Sequence, residues 1–371
     1  MNRPTHGGNL AWAAALAGCS PSLILDFSAS INPLGPPTSA IAAIQTQLKD
    51  LVSYPDPYYH QLRESLSQLH SPLTPDWILP GNGSAELLTW AGRNLSEREE
   101  TCILTPAFRD YQRALKAFDA KVREYPLLDR ETGAWAANPL PYSLLPQRSA
   151  RREVTLSSER SSDRGLLLNN PHNPTGHLFD RETLLPLLKQ FALVVVDEAF
   201  MDFLAPDQQQ SLISVVQDYE NLVILRSLTK FYSLPGLRLG YCIAHPARLR
   251  RWQQWRDPWP VNVLAAAAAT AVVQDKTFQE QTWNWLPSAR AQLFDGLASL
   301  PGLQPYQSAA NFLLVQSERS TSQLQEKLLK HSQILIRDCL SFPELGDRYF
   351  RVAVRTQADN QSLLEGLAAI L

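Results

Sequence analysis

Between residues 75 and 240, short apolar runs of strand length alternate with segments of helical pattern. Four of these runs are TCILT (101–105), GLLLN (165–169), ALVVVDE (192–198) and NLVILRS (221–227). Near-continuous apolar runs separated by helix-length segments are typical of a parallel sheet that is covered on both faces. The pattern therefore predicts an α/β fold whose large domain has three layers around a mostly parallel central sheet.

The two ends of the chain have different patterns. Residues 1–45 are rich in Gly, Pro and Asn around one short helical candidate. After about 275, a helical stretch leads to the shorter apolar runs NFLLV (311–315), ILIR (334–337) and YFRVAVR (349–355). We expect an N-terminal arm over 1–45 that closes the site and contributes to a small domain, a large ligand-binding domain over 46–262, and a linking helix with a small α+β domain over 263–371.

Two further segments have a clear local character. Residues 142–164 are rich in Ser and Arg and lack periodicity, so they are predicted to form a mobile surface loop. The run VLAAAAATAVV from Val263 has 11 residues, which is too few to cross a bilayer. Its alanines and the possible cap Asn262 predict a buried helix instead.

Composition excludes several functions. A hydrophobic share of 44% and a charged share of 19% are ordinary for a soluble globular protein, and a net charge of −2 gives no reason to expect nucleic acid or an anionic membrane as partner. No signal peptide is expected, because the N-terminus is polar. The histidines show no metal-binding spacing and the four cysteines no C-x-x-C, so we expect neither a metal nor disulfides, but a cytoplasmic protein with Cys19, Cys102, Cys242 and Cys339 reduced.

Polar residues follow the predicted strands, where the ligand crevice of a parallel sheet lies. Lys230, in SLTKFYSLPGLRLGY, fits either a helix lysine whose stem packs on apolar surface or a nucleophile, because a desolvated amine loses its proton. Asp197 ends the run FALVVV, either as a helix N-cap or as the partner of a cation such as a protonated pyridine nitrogen. Asn173, in NNPHNPTG, either reaches a ring oxygen or only holds that turn.

A phosphate site is indicated by LPGNGSAEL (79–87), which we interpret as a Gly-Asn-Gly turn that enters a helix without a preceding strand. The motif alone also fits a plain tight turn. Backbone N–H groups at a helix N-terminus cradle phosphate well, and here they would come from Gly83, Ser84 and Ala85. Arg238 and the hydroxyls of Ser227 and Thr229 would supply charge and further donors.

Together these motifs resemble the pyridoxal-phosphate enzymes of the aspartate-aminotransferase fold. The matching pieces stand in that family's order: GNGS, TPAF, NPHNPTG, VVVDEAF, then SLTK with GLRLGY. The resemblance covers most of the chain and implies a type I fold with pyridoxal 5'-phosphate as cofactor. It implies that Lys230 joins covalently to the cofactor aldehyde, that Arg238 binds the cofactor phosphate, and that Phe108 stacks on the pyridine ring.

The resemblance also bears on assembly. Tyr54, in YPDPYYHQL, resembles the tyrosine that reaches the cofactor phosphate of the neighbouring subunit, which implies a homodimer. By residue type alone, Tyr54 also fits a core or interface aromatic.

The start of the chain narrows the reaction. HGGN (6–9) followed by DFSASINPLGPP (26–37) resembles the threonine-phosphate decarboxylases of cobalamin biosynthesis, although HGGN alone also fits a disordered tail. This resemblance implies that O-phospho-L-threonine is decarboxylated to (R)-1-aminopropan-2-yl phosphate. It also implies that His6, Gly7 and Ser30 contact the substrate phosphate. Ser30 departs from the asparagine that is more usual in that family, which leaves its own contact open.

Two arginines complete the expected site. Arginine suits the bidentate capture of carboxylate and phosphate, and a substrate with one of each needs two. The resemblance implies that Arg351 holds the α-carboxylate and Arg337 the phosphate, with Asn173 near the substrate as well as the cofactor. Arg355 alternates to the same face as Arg351 and is the less favoured substitute.

Phe200, in VVVDEAF, occupies the place where transaminases of this group usually carry a tyrosine, which favours the decarboxylase branch. The alternative is an aminotransferase for histidinol phosphate or another phosphorylated amine, because such substrates follow the same two-anion logic. A regulator that binds pyridoxal phosphate without turnover is disfavoured, since the Gly/Pro-rich arm leaves no room for a helix-turn-helix module.

Overall fold

The computed structural model describes residues 3–128 and 162–371. The strands in this part of the chain are β1 Leu25–Asp26, β2 Ile78–Asn82, β3 Glu100–Thr105, β4 Val122–Pro126, β5 Ser162–Asn169, β6 Phe191–Asp197, β7 Leu222–Ser227, β8 Leu239–Ala244, β9 Leu303–Pro305, β10 Phe312–Ser317, β11 Ile334–Leu335, β12 Arg337–Asp338 and β13 Tyr349–Ala353. The α-helices are α1 Leu10–Ala17, α2 Thr38–Gln47, α3 His60–Leu69, α4 Gly83–Leu95, α5 Arg109–Lys116, α6 Arg181–Gln190, α7 Leu228–Phe231, α8 Pro246–Gln253, α9 Val263–Val272, α10 Lys276–Ala298, α11 Thr321–Ser332 and α12 Gln357–Ile370.

The main sheet has the strand order β2-β8-β7-β6-β5-β3-β4. Its neighbours pair in parallel except at β8, which is antiparallel to both β2 and β7. The four apolar runs picked out in the sequence are β3, β5, β6 and β7. Alternate residues of β6 enter hydrophobic clusters on opposite faces of the sheet, Val194 and Val196 on one and Leu193 and Val195 on the other. The prediction of an α/β fold with a mostly parallel, doubly covered sheet is confirmed.

The prediction that no strand precedes the helix at GNGS was wrong. Residues Ile78–Asn82 form β2, which pairs with β8 through five residue pairs from Ile78–Ile243 to Asn82–Leu239. Pro80 lies within this strand, and proline is tolerated there because β2 is an edge strand. The run GLRLGY contributes β8 itself, a strand that the motif reading of that stretch did not predict.

A second sheet lies near the C-terminus, with the antiparallel order β12-β13-β10-β9. The N-terminal residues join this region, because β1 pairs in parallel with β11 and α1 packs against α11 through Ala13, Ala14 and Leu329. The run ILIR is divided between β11 and β12 rather than forming one strand. Residues 1–45 contain α1 and the start of α2 rather than one helix. The domain boundaries at 45/46 and 262/263 stay predictions.

The alanine-rich run forms the expected buried helix, α9. Asn262 caps it, since Asn262 Oδ1 accepts a hydrogen bond from Ala265 N at 2.8 Å. The Ser/Arg-rich segment 142–164 falls mostly on residues 142–161, which lie outside the described part, and its last three residues begin β5 rather than belonging to a loop. Of the helices described, none has both the length and the apolar character needed to cross a membrane.

Candidate active site

The carboxyl ends of β5, β6 and β7 and the N-terminal end of α4 border a cavity of about 240 Å³, the inner compartment. Ten residues singled out in the sequence line it: Ser84, Ala85, Phe108, Asn173, Asp197, Phe200, Ser227, Thr229, Lys230 and Arg238. Four others complete the lining: Ile31, Leu88, Asn169 and Ala199. Residues from distant parts of the chain therefore lie together at the carboxyl ends of the strands, where the sequence predicted a ligand crevice.

A second cavity of about 220 Å³, the outer compartment, adjoins the first. The two share Ile31, Phe108, Asn173, Phe200 and Lys230. The rest of the outer lining comes from the arm and the C-terminal region: Thr5, His6, Gly7, Ser28, Ala29, Ser30, Arg109, Arg337, Ser341, Phe342 and Arg351. Lys230 therefore stands at the junction of two differently built spaces.

Lys230 lies in α7, three residues after β7 ends. Its Nζ donates to Ser227 Oγ at 3.5 Å and lies 5.0 Å from the centroid of the Phe200 ring. Burial lowers the pKa of Lys230, the Asp197 carboxylate opposes this shift, and the Arg351 and Arg238 guanidiniums add to it. Because a lowered pKa frees the nitrogen lone pair, the site favours an amine that can act as a nucleophile or a base.

Asp197 ends β6 and is buried. Its Oδ2 accepts a hydrogen bond from the phenol of Tyr111 at 2.9 Å, and its Oδ1 accepts one from Ala199 N at 3.0 Å. Burial raises the pKa of Asp197, while Lys230, Tyr111 and Ala199 lower it. No arginine or lysine of the described residues forms a salt bridge with Asp197. This buried carboxylate lines the inner compartment, where a cationic group of a ligand would stabilise its charge.

A donor set for phosphate lies at the N-terminus of α4. Gly83 has a φ of +76°, and a Cβ at this position would lie 2.6 Å from Arg238 Nη2, so only glycine allows this approach. Arg238 itself adopts a left-handed backbone conformation, with a φ of 57°. The hydroxyls of Ser227 and Thr229 lie 2.8 Å apart at the same end of the compartment. A helix N-terminus, a guanidinium and two hydroxyls form a suitable cradle for an anion.

Arg351 lies in β13 and lines the outer compartment. Its guanidinium donates to Asn173 Oδ1 and lies 4.7 Å from the centroid of the Phe312 ring. Burial lowers the pKa of Arg351 to about 10, and nearby Arg337 adds to this shift. Arg351 has no carboxylate partner among the described residues. It is therefore a cation placed to receive an anionic group of a ligand.

Arg337 lies in β12 and is buried. It donates to the backbone oxygens of Pro4 and Thr5 and, at 2.6 Å, to Ser341 Oγ, while Asp338 Oδ1 lies 3.7 Å away. These hydrogen bonds tie the start of the arm to this guanidinium. Ser341, which the sequence did not single out, helps to orient it.

The arm residues line the outer compartment. The His6 ring lies edge-on to Phe108 with centroids 6.1 Å apart, and burial and then Arg337 lower the pKa of His6. A Cβ at Gly7 would lie 2.2 Å from Ser28 O, so the chain needs glycine there. Ser30 is buried, and its Oγ has no hydrogen-bond partner among the described residues. An unpartnered buried hydroxyl in a cavity wall is suited to a ligand contact.

Two candidate residues lie elsewhere. Tyr54 lines neither compartment; it is 78% exposed, and its ring stacks on Trp259 with centroids 4.3 Å apart. Arg355 pairs with Asp359 at 3.1 Å and lies over the Phe27 ring, so it is not placed to substitute for Arg351.

Sequence reasoning missed Tyr111, Asn169, Arg109 and Ser341. Asn169 ends GLLLN and follows the strand-end rule that selected Asp197, so that signal was present. Tyr111 offered a weaker one, since it lies one helical turn after Phe108.

Comparisons with known proteins agree with the family resemblance seen in the sequence. The model of the family described as "Aminotransferase class I and II" matches residues 23–367. This chain belongs to that family. It is 38% identical to the threonine-phosphate decarboxylase of Salmonella typhimurium over 99% of this chain and 96% of that protein. The fold resembles the histidinol-phosphate aminotransferase of Clostridium acetobutylicum, with a TM-score of 0.81, 27% identity, and 94% and 99% of the two chains covered.

A further structural relative bears on the fold of the whole chain. The histidinol-phosphate aminotransferase of Sinorhizobium meliloti, solved in complex with pyridoxal-5'-phosphate, has a TM-score of 0.80 at 21% identity, with 98% and 94% of the two chains covered. The type I fold expected from the sequence is therefore confirmed.

Proposed function

We propose that this protein is a pyridoxal-phosphate-dependent decarboxylase that converts O-phospho-L-threonine into (R)-1-aminopropan-2-yl phosphate in cobalamin biosynthesis. The function named for the Salmonella relative supports this proposal. The observation that carries it is the position of Lys230, between a compartment with a phosphate cradle and a second one with the unpaired Arg351 and the arm-bound Arg337.

The inner compartment fits pyridoxal phosphate. Gly83, Ser84 and Ala85 begin α4 beside Arg238 and would hold the phosphate, with the hydroxyls of Ser227 and Thr229 as further donors. The buried carboxylate of Asp197 would hold the ring nitrogen, Phe108 would lie on the ring face, and Lys230 would join to the aldehyde. When bound, this group withdraws electrons from the substrate Cα and so makes bonds at that carbon easier to break.

The outer compartment suits a substrate with two anionic groups. Arg351 would receive the α-carboxylate, while Arg337, His6, Gly7 and Ser30 would receive the phosphate. Holding both ends would restrict rotation about the amine–Cα bond, so that the bond to the carboxylate rather than the bond to hydrogen would be the one placed to break.

In the chemical step, the bond between Cα and the carboxylate breaks and carbon dioxide leaves. Lys230 would take up a proton from the substrate ammonium group when the substrate amine replaces it on the cofactor, and it would return that proton to Cα. Arg351 must hold the carboxylate without binding it too tightly, since stabilisation of the ground state alone would slow its loss. The neighbouring Asn173 oxygen shares the Arg351 guanidinium and so limits what that group gives to the carboxylate.

An aminotransferase acting on a phosphorylated amine is the competing proposal, since the histidinol-phosphate enzymes share this fold. Phe200 favours the decarboxylase, because its ring lines both compartments beside Lys230 and offers no hydroxyl to the cofactor.

The test is to incubate the holoenzyme with O-phospho-L-threonine and 2-oxoglutarate and to measure carbon dioxide, glutamate and the keto acid formed from O-phospho-L-threonine together. Carbon dioxide in step with aminopropanol phosphate would support the proposal. Keto acid formed at the expense of 2-oxoglutarate would replace it with transamination. The Lys230→Ala variant is the control for non-enzymatic loss of carbon dioxide.

We also propose a cytoplasmic homodimer in which Tyr54 reaches the inner compartment of the partner subunit. A segment of the surface supports this, because large apolar side chains are exposed close together along the chain at Leu48, Leu51, Val52, Tyr54 and Tyr58. Exposed apolar patches of this kind mark protein interfaces. The unpaired state of all four cysteines agrees with a reducing compartment.

Mixing two inactive variants tests the role of Tyr54. In a heterodimer of Tyr54→Ala and Lys230→Ala subunits, one of the two sites would combine Lys230 of one chain with Tyr54 of the other. Activity regained on mixing, together with a dimeric mass by light scattering, would support action across the interface. Two inactive dimeric variants that exchange subunits but stay inactive would place Tyr54 in its own subunit's site, and an active Tyr54→Ala variant would place it in none.

A further inference from the structure

Arg109 is a cation in the wall of the outer compartment to which the resemblance assigns no role. It is the first residue of α5 and directly follows Phe108. Its side chain is exposed, and its guanidinium donates to Gln112 Oε1 at 3.3 Å. Arg109 therefore faces the space in which the substrate would lie.

The position of Arg109 is electrostatically unfavourable in the absence of a ligand. The N-terminus of a helix carries partial positive charge, so an arginine there is repelled. The acidic residue of that turn, Asp110, is engaged by Arg113, whose Nη2 lies 2.9 Å from Asp110 Oδ2. Arg109 forms no salt bridge with a carboxylate in residues 3–128 or 162–371. Arg109 is thus a cation at a helix N-terminus without a carboxylate to compensate it, and such a departure from a local preference is typical of a functional position.

Arg109 and Arg337 act on the same space. Burial and then the Arg337 guanidinium lower the pKa of His6, Asp110 opposes this shift, and Arg109 and Arg113 add to it. Arg109, Arg337 and His6 therefore line the same compartment. An anion bound in the outer compartment would have both cations in its walls.

The charges of a phosphorylated amino acid indicate what this third cation does. A phosphate monoester carries about −1.5 to −2 at pH 7, and the α-carboxylate adds another negative charge. Arg351 and Arg337 supply only two positive charges. We propose that Arg109 is a third anion anchor that recognises the second charge of the substrate phosphate and so sets a preference for phosphate over singly charged groups. This inference depends on the proposed function only in requiring a phosphorylated substrate.

The experiment compares O-phospho-L-threonine with the O-sulfate ester of L-threonine. The sulfate group carries one negative charge fewer than the phosphate group at about pH 8. Arg109→Gln holoenzyme should show kcat/KM for the phosphate ester reduced about tenfold, mainly through KM, and for the sulfate ester by about twofold or less. Arg109→Lys should recover part of the phosphate preference. Lys116→Gln is the matched control, since it removes an exposed positive charge from the last turn of the same helix and should leave both substrates unaffected.

Equal losses for the two esters in Arg109→Gln, or no loss for either, would overturn the proposal. A loss of the same size in Lys116→Gln would also overturn it, because it would reduce the effect to overall charge. The proposed reaction can fail separately. If the holoenzyme forms keto acid, the affinity for each ester, read from the change in cofactor absorbance on binding, still reports whether Arg109 distinguishes them.

Discussion

The phenol of Tyr111 donates a hydrogen bond to Asp197 Oδ2 at 2.9 Å, and both residues are buried. Tyr111 comes from the first turns of α5 and Asp197 from the end of β6, so the contact joins two elements that border the inner compartment. With Ala199 N on Oδ1, both carboxylate oxygens are held. The orientation of this carboxylate is therefore set before any ligand binds, as a preorganised site requires.

Replacing Tyr111 by phenylalanine should weaken the binding of pyridoxal phosphate. The hydrogen bond from Tyr111 lowers the pKa of Asp197, whose burial already raises it, so its loss raises that pKa further. The ionised form exists above this pKa and is lost as pH falls, and the acid limb of cofactor binding should therefore move to higher pH. The measurement is the cofactor Kd between pH 5 and 8, with about a three- to tenfold increase expected at the acid end. An unchanged pH profile would mean that Tyr111 only fills space.

Removing the Lys230 amine should abolish covalent attachment of the cofactor and leave the fold intact. Lys230→Ala incubated with pyridoxal phosphate and borohydride should show no mass increase, whereas the wild type should gain one reduced adduct. Lys189, which is exposed on α6, offers the control, since Lys189→Ala should label like the wild type. An adduct that persists in Lys230→Ala and maps to another lysine would transfer the proposed role to that residue.

The sequence predicted the parts of this fold whose signal is local. β6 was predictable because an unbroken apolar run needs burial on both faces, and α9 because alanines follow a capping asparagine. β2 and β8 were missed because Gly and Pro interrupt their apolar character, and only the pairing of Pro80 with Tyr241 and its neighbours makes these residues strands. The antiparallel direction of β8 was not predicted either, since direction depends on pairing and not on composition.

The candidate site shows the same difference between residues that a local pattern predicts and residues that only tertiary packing places. Lys230, Asp197 and Asn173 follow strands whose carboxyl ends share one edge, so a single rule places them together. Tyr111 and Ser341 touch Asp197 and Arg337 only because α5 and the segment after β12 pack at particular angles, which no local pattern specifies. Residues that line the inner compartment were therefore easier to predict than those that orient them.

A buried charge cluster next to the inner compartment, formed by Arg226, Glu198 and Asp202, should control the free energy of unfolding. Arg226 is 1% exposed and pairs with Glu198 at 3.0 Å and with Asp202. Arg226→Met leaves buried carboxylates without their cation, so the free energy of unfolding should fall by about 3–5 kcal/mol. Arg123→Met is the control because Arg123 is mostly exposed.

The pH dependence of this variant follows from the same pair. Burial raises the pKa of Glu198 and of Asp202, and Arg226 opposes that shift, so its loss raises both folded-state pKa values further. The folded variant then takes up protons before the unfolded chain does, and it regains stability as pH falls through those values. Thermal unfolding between pH 8 and 5 should show the gap to wild type narrowing. A constant gap would assign the loss to packing rather than to charge.

Arg337 has two possible roles, because it donates to the arm at Pro4 and Thr5 and also lines the outer compartment. If it binds the substrate phosphate, Arg337→Ala should weaken O-phospho-L-threonine by about 2–5 kcal/mol, while the cofactor Kd changes little. If it only anchors the arm, the arm should become sensitive to proteolysis and unphosphorylated L-threonine should lose as much affinity as the phosphorylated compound.

The Arg3→Ala variant separates these two roles of Arg337, since Arg3 ties the arm to Glu326 and Asp338 without lining the outer compartment. Loosening the arm in this way should affect both ligands alike. Equal losses of cofactor and phosphorylated substrate in Arg337→Ala would make Arg337 a structural residue.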